Sequence, residues 1–152
     1  MTTSSTDPRP ALRVVFAADD RNECVDAVRE FIDAHYTLVE PPADEPWPTM
    51  AAGLAELVAS GGADVGVVMC WTGTGTAIAA NKVAGVRAAQ AAEPWIARGA
   101  RLWNDANVLA MSLKRTAPDV AVECVRAFVE TTDVDDDEQE QIDLLKRLDH
   151  GR

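Results

Sequence analysis

Hydrophobic and polar positions follow two different periods along this chain. Short runs of consecutive apolar residues, several of them β-branched, are typical of strands buried on both faces. Longer segments between them repeat apolar residues every three or four positions, which is typical of helices with one buried face. The pattern predicts strands at 12–18, 36–39, in the valine-rich run 65–68, at 86–89 and at 107–111, and helices at 22–35, 49–59 (with Thr49 as its cap), after Gly75, at 93–103, 117–130 and 136–148.

Strands that alternate with helices through short connections predict a parallel sheet covered by helices on both faces. We therefore predict an α/β protein, a Rossmann-like three-layer α/β/α sandwich with a five-stranded parallel sheet and a C-terminal helix. Residues 1–10 are predicted to form a flexible leader and 11–131 the folded domain. Residues 132–152 are predicted to form an acidic turn and an amphipathic helix with Ile142, Leu145 and Leu148 on one side. We expect this helix to pack on a partner subunit, with packing on its own sheet as the alternative.

The segment 63–87 carries the chemistry around which the chain is organised. Its buried strand gives way at Cys70 to a turn rich in Gly and Thr, and an Ala-rich helix follows. Ligands of open parallel sheets bind just outside the carboxyl ends of the strands, which is where this turn lies. Backbone N–H groups there lower the pKa of a thiol, so Cys70 is a candidate base or nucleophile and the turn 71–75 a candidate oxyanion site. The alternative is a buried cysteine that only fills space.

Two polar clusters are expected near this same edge of the sheet. Asp19 and Asp20 end the first strand, where one carboxylate is sufficient to cap the next helix and the second is free to face the cleft. Asn104, Asp105 and Asn107 precede the fifth strand. They are either ordinary turn residues or further residues of the site.

Composition excludes several classes of function. The chain has 152 residues, 47% of them hydrophobic, with a mean hydropathy of −0.09, which is ordinary for a globular domain. No window has the unbroken apolar length of a membrane span, and the first residues lack the basic and hydrophobic parts of a signal peptide, so we predict a cytoplasmic protein without a membrane partner. The net charge of −11 argues against a nucleic-acid partner.

Several specific activities are also disfavoured. Three widely spaced cysteines indicate reduced thiols rather than disulfides or a metal site. The spacing of Gly73 and Gly75 matches only half of a dinucleotide-binding motif and follows the third strand rather than the first, and no Walker lysine is present. A Cys–His hydrolase is a weak alternative because His35 and His150 are poorly placed for it.

The combined motifs resemble one family of sugar-phosphate isomerases. The pattern Cys70-x-Thr72-Gly73-x-Gly75, the run 78–82, the sequence 85–88 and the sequence 104–109 are similar to the type B ribose-5-phosphate isomerases and the galactose-6-phosphate isomerase subunits. The resemblance covers most of residues 12–130. It implies a Rossmann-like fold, a homodimer or a dimer of dimers, no metal, no cofactor, a small sugar or sugar phosphate as the substrate, and a site built across the subunit interface.

The resemblance also implies roles for individual residues. Cys70 would be the base that moves a proton between C1 and C2 through a cis-enediolate, with Thr72 beside it and the turn amides holding the negative charge. The turn residues expected to face the substrate are Trp71, Gly73, Thr74 and Gly75. Asp19 would contact the sugar, while Asn104 and Lys114 match a site asparagine and the arginine after the fifth strand.

The chain departs from the family pattern at the positions that open the ring and hold the phosphate. Asp20 replaces a histidine on the phosphate side, Trp103 replaces the ring-opening histidine, and Trp71 replaces a glycine. The acidic segment 133–140 stands where phosphate-binding arginines are expected, with Lys146, Arg147 and Arg152 beyond it. The two tryptophans either stack on the substrate or belong to the core.

These departures leave three hypotheses for the function. The first is an aldose–ketose isomerase that acts on a small open-chain sugar, or on a sugar derivative without the usual phosphate, with Asp19, Asp20 and Asn104 on its hydroxyls. The second is a ligand-binding or regulatory dimer that has kept the pocket and lost the reaction. The third is ordinary ribose-5-phosphate isomerisation, for which Arg98, Arg101, Lys114 or the C-terminal basic residues would have to replace the lost phosphate ligands.

Overall fold

Five parallel strands form a single sheet in the part of the chain that the structure describes, residues 11–151 of a computed structural model, with the side chain of His150 left aside. The strands are β1 (Arg13–Ala18), β2 (Thr37–Val39), β3 (Val65–Cys70), β4 (Ala88–Gln90) and β5 (Val108–Ser112). Their spatial order is β2-β1-β3-β5-β4. The predicted leader 1–10 lies outside the described residues.

Helices cover both faces of this sheet, so the predicted three-layer architecture is confirmed. They are α1 (Glu23–His35), α2 (Trp47–Ala59), α3 (Thr74–Ala80), α4 (Pro94–Asn104), α5 (Pro118–Glu130) and α6 (Gln139–Arg147), with short 3-10 turns at Asp136–Glu138 and Leu148–Gly151. Apolar residues of α1, α4 and α5 form one half of the core, and those of α2 and α3 form the other.

The central strand β3 is buried along its whole length, which explains its continuous apolar sequence. Val67 and Met69 contribute to the half of the core under α1, α4 and α5, and Val68 contributes to the other half. β1 and β5 flank β3, with Cys70 opposite Ser112 in the register. Cys70, the predicted base or nucleophile, is therefore the last residue of a strand that is buried at every position.

Two helix starts differ from the prediction. Helix α1 is capped by Asn22, whose Oδ1 accepts a hydrogen bond from the Val25 N–H at 3.0 Å, so neither Asp19 nor Asp20 is the cap. Helix α2 begins at Trp47, before the predicted cap Thr49. Proline is compatible with this early start, because the amides of a first helical turn have no partner within the helix.

The strand order places a topological switch at β1. From β1 the chain crosses to β2 on one side, then returns past β1 to β3 on the other. Such a reversal opens a crevice between the carboxyl ends of the two strands, and ligands of open α/β sheets bind there. In this protein the crevice lies between Asp19, which follows β1, and Cys70, which ends β3.

The C-terminal helix is attached to its own domain. Ile142 of α6 is 1% exposed, and α6 packs against α4. The Lys146 ammonium contacts the Asp105 carboxylate at 2.7 Å, and the Asp149 carboxylate accepts from the Gly85 N–H at 3.0 Å. Leu148, on the same predicted apolar stripe, is 70% exposed, and packing of this helix on a partner subunit stays a prediction. None of the described helices is both long and apolar enough to cross a membrane.

We expect Ile142→Ala to lower the free energy of unfolding by about 3 kcal/mol, because it leaves a cavity between α6 and α4. Leu148→Ala is the matched control and should change the free energy of unfolding by less than about 0.5 kcal/mol, because its side chain is already exposed. Urea unfolding of both variants measures the difference. Equal effects of the two substitutions would contradict the docking of α6 on its own domain.

Candidate active site

The sulfur of Cys70 is enclosed by hydrogen-bond donors at the carboxyl end of β3. The residue is 6% exposed, and its Sγ accepts from the Gly73 N–H at 3.1 Å and from the Thr76 hydroxyl at 3.3 Å. Burial by itself raises the pKa of this thiol, but the hydroxyl of Thr76 and the backbone N–H groups of Thr76, Gly73 and Thr72 outweigh it. The pKa of Cys70 therefore lies below the ordinary value for cysteine, as a base or nucleophile requires.

Thr76 is a site residue that the sequence reasoning missed. It is completely buried in the first turn of α3, where its hydroxyl reaches both the Cys70 sulfur and the Gly73 carbonyl. The predicted neighbour of the base, Thr72, contributes through its backbone N–H, while its hydroxyl pairs with that of Thr74 at 2.7 Å. The sequence does contain a signal for this role, because Thr76 is a hydroxyl residue in the first turn of an otherwise Ala-rich helix.

Gly73 and Gly75 let the turn lie close to its neighbours. Gly73 has a φ of +80°, and a Cβ there would be 2.9 Å from the Met111 carbonyl carbon and 3.1 Å from the Ser112 nitrogen. A Cβ on Gly75 would be 2.9 Å from the ring of Trp47, which covers this turn of α3. Both glycines are needed for close approach, and Gly73 also for its left-handed backbone.

Trp71 forms an exposed wall of the site together with two charged side chains. Its indole is 57% exposed, which overturns the alternative that it belongs to the core. The indole N–H donates to the Asp20 carboxylate at 3.0 Å, and the Lys114 Nζ lies 4.6 Å from the ring centroid. Hydrogen bonds from the Arg21 N–H and from Trp71, together with the Lys114 charge, lower the pKa of Asp20. The predicted residues Asp20, Trp71 and Lys114 thus meet at one edge.

A cleft of about 480 Å³ opens beside this edge, between β1 and the loop that follows β2. Partial desolvation, and then the neighbouring charge of Asp20, raise the pKa of Asp19, which lines the cleft. Most charged residues of the cleft are acidic. They are Asp19, Asp20, Asp26, Glu40, Asp44 and Glu45, against Arg21 and Arg29, and Arg29 forms an ion pair with Glu40.

A thiol with a lowered pKa, N–H donors around it and a polar cleft nearby are groups that proton transfer next to a carbonyl can use. Comparison with known families matches residues 17–145 to the model described as Ribose/Galactose Isomerase. The chain belongs to this family. The resemblance inferred from the motifs is therefore confirmed.

Individual isomerases show how far the similarity extends. YwlF of Bacillus subtilis, a putative sugar phosphate isomerase, is 40% identical over 85 residues, which are 56% of this chain and 57% of that protein. D-erythrulose-4-phosphate isomerase 2 of Mycolicibacterium smegmatis is 42% identical over 83 residues, 55% of this chain and 52% of that protein. The chain thus spans little more than half the length of these relatives in the alignments. The structure of ribose-5-phosphate isomerase B from Clostridium thermocellum gives a TM-score of 0.83 at 26% identity and covers 92% of this chain and 99% of that one.

One part of the site that the resemblance implies lies at the opposite edge of the sheet. Asn104, Asp105 and Asn107 precede β5, and residues before a parallel strand lie at its amino end. The length of β5 separates Asn107 from Ser112, which pairs with Cys70, by about 16 Å. The expectation that this cluster lies near the active edge of its own chain is therefore wrong.

At the amino edge, Asp105 and Asn107 form ion pairs and hydrogen bonds with other residues of the same chain. The Asp105 carboxylate pairs with Lys146 at 2.7 Å and with Arg87 at 3.5 Å, and the Asn107 side chain bridges the Arg87 N–H and the Gly85 carbonyl. Trp103 lies on α4, edge-to-face with Trp95, and is 37% exposed rather than part of the core. The described part of the chain therefore brings Cys70 together with Asp19, Asp20, Trp71 and Lys114, but not with Trp103 or Asn104.

Removing the Thr76 hydroxyl should raise the pKa of Cys70. We expect about one unit in Thr76→Val, because the thiolate loses a donor while the side-chain volume is kept. Thr76→Ser keeps the hydroxyl and should titrate like the unmodified protein. The ultraviolet absorbance of the thiolate, taken as the difference from Cys70→Ala, gives the midpoint.

The same variant should lose more stability at high pH than at low pH. Because the folded pKa of Cys70 is lowered, ionised Cys70 stabilises the fold above the ordinary thiol pKa, and this contribution is lost as the pH falls through the folded value. Thr76→Val should therefore lose most stability at high pH. A titration midpoint unchanged in Thr76→Val would show that the hydroxyl does not act on the thiol.

Proposed function

We propose that this chain is an aldose–ketose isomerase in which Cys70 is the base. The observation that carries the proposal is the buried Cys70 sulfur with donors from Gly73 and Thr76 at the carboxyl end of β3. The cleft lined by Asp19 opens nearby, on the other side of β1. The thiolate takes the proton from the carbon beside the carbonyl, and the electron pair of that C–H bond forms the double bond of a cis-enediolate. The thiol then returns the proton to the neighbouring carbon. The proton of the hydroxyl that becomes the new carbonyl moves to the former carbonyl oxygen, so the carbonyl shifts by one position and the atoms of the substrate are unchanged in number.

The negative charge of the enediolate would be held by the turn 71–75. N–H groups of this turn already face the Cys70 sulfur, so donors and base converge on the same small volume. Preorganised donors of this kind are among the largest contributions to catalysis, because they need no rearrangement as the charge develops. The Asp19 carboxylate, directly after β1, would contact substrate hydroxyls, and Asp20 would act there through its contact with Trp71.

The substrate we propose is an open-chain sugar shorter than ribose. The family resemblance implies that Trp103 replaces a histidine that opens the sugar ring, and this supports a substrate without a ring. A four-carbon sugar with a phosphate on O4 has no free hydroxyl that can close a five-membered ring. The Mycolicibacterium smegmatis relative is named for such a compound, D-erythrulose 4-phosphate, which makes four-carbon sugar phosphates the first candidates.

The charges around the site support one direction of binding. The cleft beside Asp19 is lined mainly by carboxylates, which repel a phosphate dianion. Lys114 lies on the other side, over the Trp71 ring. We therefore propose that the carbon chain lies towards Asp19 and that an anionic end, where the substrate has one, lies towards Lys114. A substrate without the phosphate would have no use for Lys114.

We further propose a homodimer, or a dimer of dimers, in which the site combines two chains. Trp103 and Asn104 lie at the amino edge, so they reach a Cys70 only if a second copy brings that edge to the carboxyl edge of the first. The exposure of Trp71 and Trp103 supports this arrangement, since large exposed aromatic side chains are enriched at interfaces. A cytoplasmic location and the absence of nucleic-acid, metal and cofactor partners stay predictions.

Two other functions remain candidates. A ligand-binding or regulatory dimer is favoured by the tryptophan at position 103, in place of the family's histidine. Ribose-5-phosphate isomerisation itself would need cations to replace the lost phosphate ligands. Arg101 is poorly suited for this, because its guanidinium donates to the carbonyls of Ala106 and Thr131 and lies over the Phe128 ring.

Solvent-deuterium exchange followed by NMR tests the reaction and its substrate together. The protein is incubated in D₂O with free and phosphorylated tetroses, pentoses and hexoses. We expect deuterium at C1 or C2 of a four-carbon sugar phosphate, and loss of this exchange in Cys70→Ala. Cys24→Ala is the matched control and should keep the activity, because Cys24 is buried in helix α1, outside the site.

The other outcomes each select one alternative. Exchange with ribose 5-phosphate at an enzymatic rate would overturn the proposal of an altered substrate. Full exchange in Cys70→Ala would overturn Cys70 as the base. No exchange with any compound, together with saturable binding of one of them, would favour the ligand-binding dimer.

Mixing two inactive variants tests the site shared between chains. In a two-fold dimer, a hybrid of Cys70→Ala and Asn104→Ala chains has one site in which both residues are native. Random hybrids formed by co-refolding should recover about one quarter of the native activity, since half of the dimers are hybrids with one intact site each. No recovery from two separately inactive variants would contradict a site shared in this way.

A further inference from the structure

Two side chains from neighbouring strands bind the turn that follows Cys70. Gln90, the last residue of β4, donates from Nε2 to the Thr72 carbonyl at 2.8 Å. Ser112, the last residue of β5, donates from its hydroxyl to the Trp71 carbonyl. Neither residue touches the Cys70 sulfur through its own side chain, and neither was singled out by the sequence.

The geometry of the peptide group turns these two bonds into a constraint on the site. In a trans peptide the carbonyl of one residue and the N–H of the next point in opposite directions. Holding the Trp71 carbonyl therefore directs the Thr72 N–H away from Ser112, and holding the Thr72 carbonyl directs the Gly73 N–H away from Gln90. The Gly73 nitrogen then lies 3.1 Å from the Cys70 sulfur, in hydrogen-bond geometry.

We propose that Gln90 and Ser112 are positioning residues, which orient two successive peptide groups so that their N–H groups face the Cys70 sulfur. In free solution the turn carbonyls would bond to water in many orientations, and the two N–H groups would turn with them. The bonds from β4 and β5 select one orientation before any ligand binds. The effect on the thiol follows from geometry alone, whereas an effect on turnover rests on the function proposed above.

Close packing also holds the turn after Cys70 in one position. A Cβ on Gly73 would be 2.9 Å from the Met111 carbonyl carbon, 3.1 Å from the Ser112 nitrogen and 3.2 Å from the Gln90 Nε2. The turn is therefore pressed onto the ends of the two strands that supply the donors. The Ser112 hydroxyl also accepts from the Arg115 N–H at 3.0 Å, which fixes its own direction.

Substituting Gln90 or Ser112 by a neutral residue leaves every charged group around Cys70 in place. On the described elements beside β3, the titratable side chains at this edge include Asp19, Asp20 and Arg21 after β1, Glu93 after β4, and Lys114 and Arg115 after β5. Strand β4 ends in neutral Gln90, and α3 has no titratable side chain. Partial desolvation raises the pKa of Asp19, and hydrogen bonds from the Arg21 N–H and from Trp71 lower the pKa of Asp20.

The test measures the pKa of Cys70 in Gln90→Met and Ser112→Ala, by thiolate absorbance as the difference from the same variant carrying Cys70→Ala. We expect each substitution to raise the midpoint by about half a unit to one unit. Gln90→Met frees the peptide group whose Gly73 N–H bonds to the sulfur, and Ser112→Ala frees the peptide group of the Thr72 N–H, which also lowers the pKa of Cys70. Ser112→Thr keeps the hydroxyl and should restore the native midpoint. Ser60→Ala is the matched control: it removes a hydroxyl bond to the Leu57 carbonyl at the end of α2 and should leave the midpoint unchanged.

Each outcome decides the proposal without reference to turnover. A raised midpoint in both variants, with thermal unfolding close to that of Ser60→Ala, supports it. Unchanged midpoints in both variants would overturn it, even if the protein proves to be an active isomerase. A change in Ser112→Ala alone would also overturn it, since the effect would then come from the released Arg115 amide. The thiol titrates without a substrate, so the result can be interpreted even if the proposed isomerase reaction is not found.

Discussion

The site depends on the protein groups that replace water around the Cys70 sulfur, which is enclosed at the end of a buried strand. An anion in such a place is unfavourable unless polar groups of the protein replace the solvent. Here the Thr76 hydroxyl and N–H groups of the following turn supply that replacement. Those donors exist only because the turn bends back over the strand end through the left-handed Gly73. The fold thus buries the sulfur, which disfavours the thiolate, and supplies within a few residues the donors that favour it.

The rest of the sheet holds this turn in place. Neighbouring strands end at the same level as β3, so the residues that follow them surround Cys70 without a long loop. β1 contributes Asp19 and Asp20, while β5 contributes Ser112 and brings Lys114 over the Trp71 ring. The charges are divided accordingly, with carboxylates on the cleft side and an ammonium on the other. This division is the basis for the proposed orientation of a substrate with one anionic end.

Local patterns predicted the elements well, and failures occurred where a choice was not local. Five strands and six helices were found near their predicted positions, because buried parallel strands leave continuous apolar runs. The cap of α1 was missed because three Asx residues, Asp19, Asp20 and Asn22, all suit a cap, and the bond from Asn22 to the Leu113 carbonyl favours one of them. The cluster at 104–107 was assigned to the wrong edge because polar residues flank a strand at both ends. Chain direction alone separates those two ends.

The sequence by itself determined the α/β class, the family and the position of the thiol, because apolar periodicity and the motif around Cys70 are carried by residues close in the chain. Tertiary structure decided which side chains meet that thiol. The strand order placed β5 beside β3, although β4 lies between them in the sequence, so Ser112 and Lys114 reached the site. Strand order follows from how two halves of a core pack against one sheet, and no short stretch of sequence contains that information.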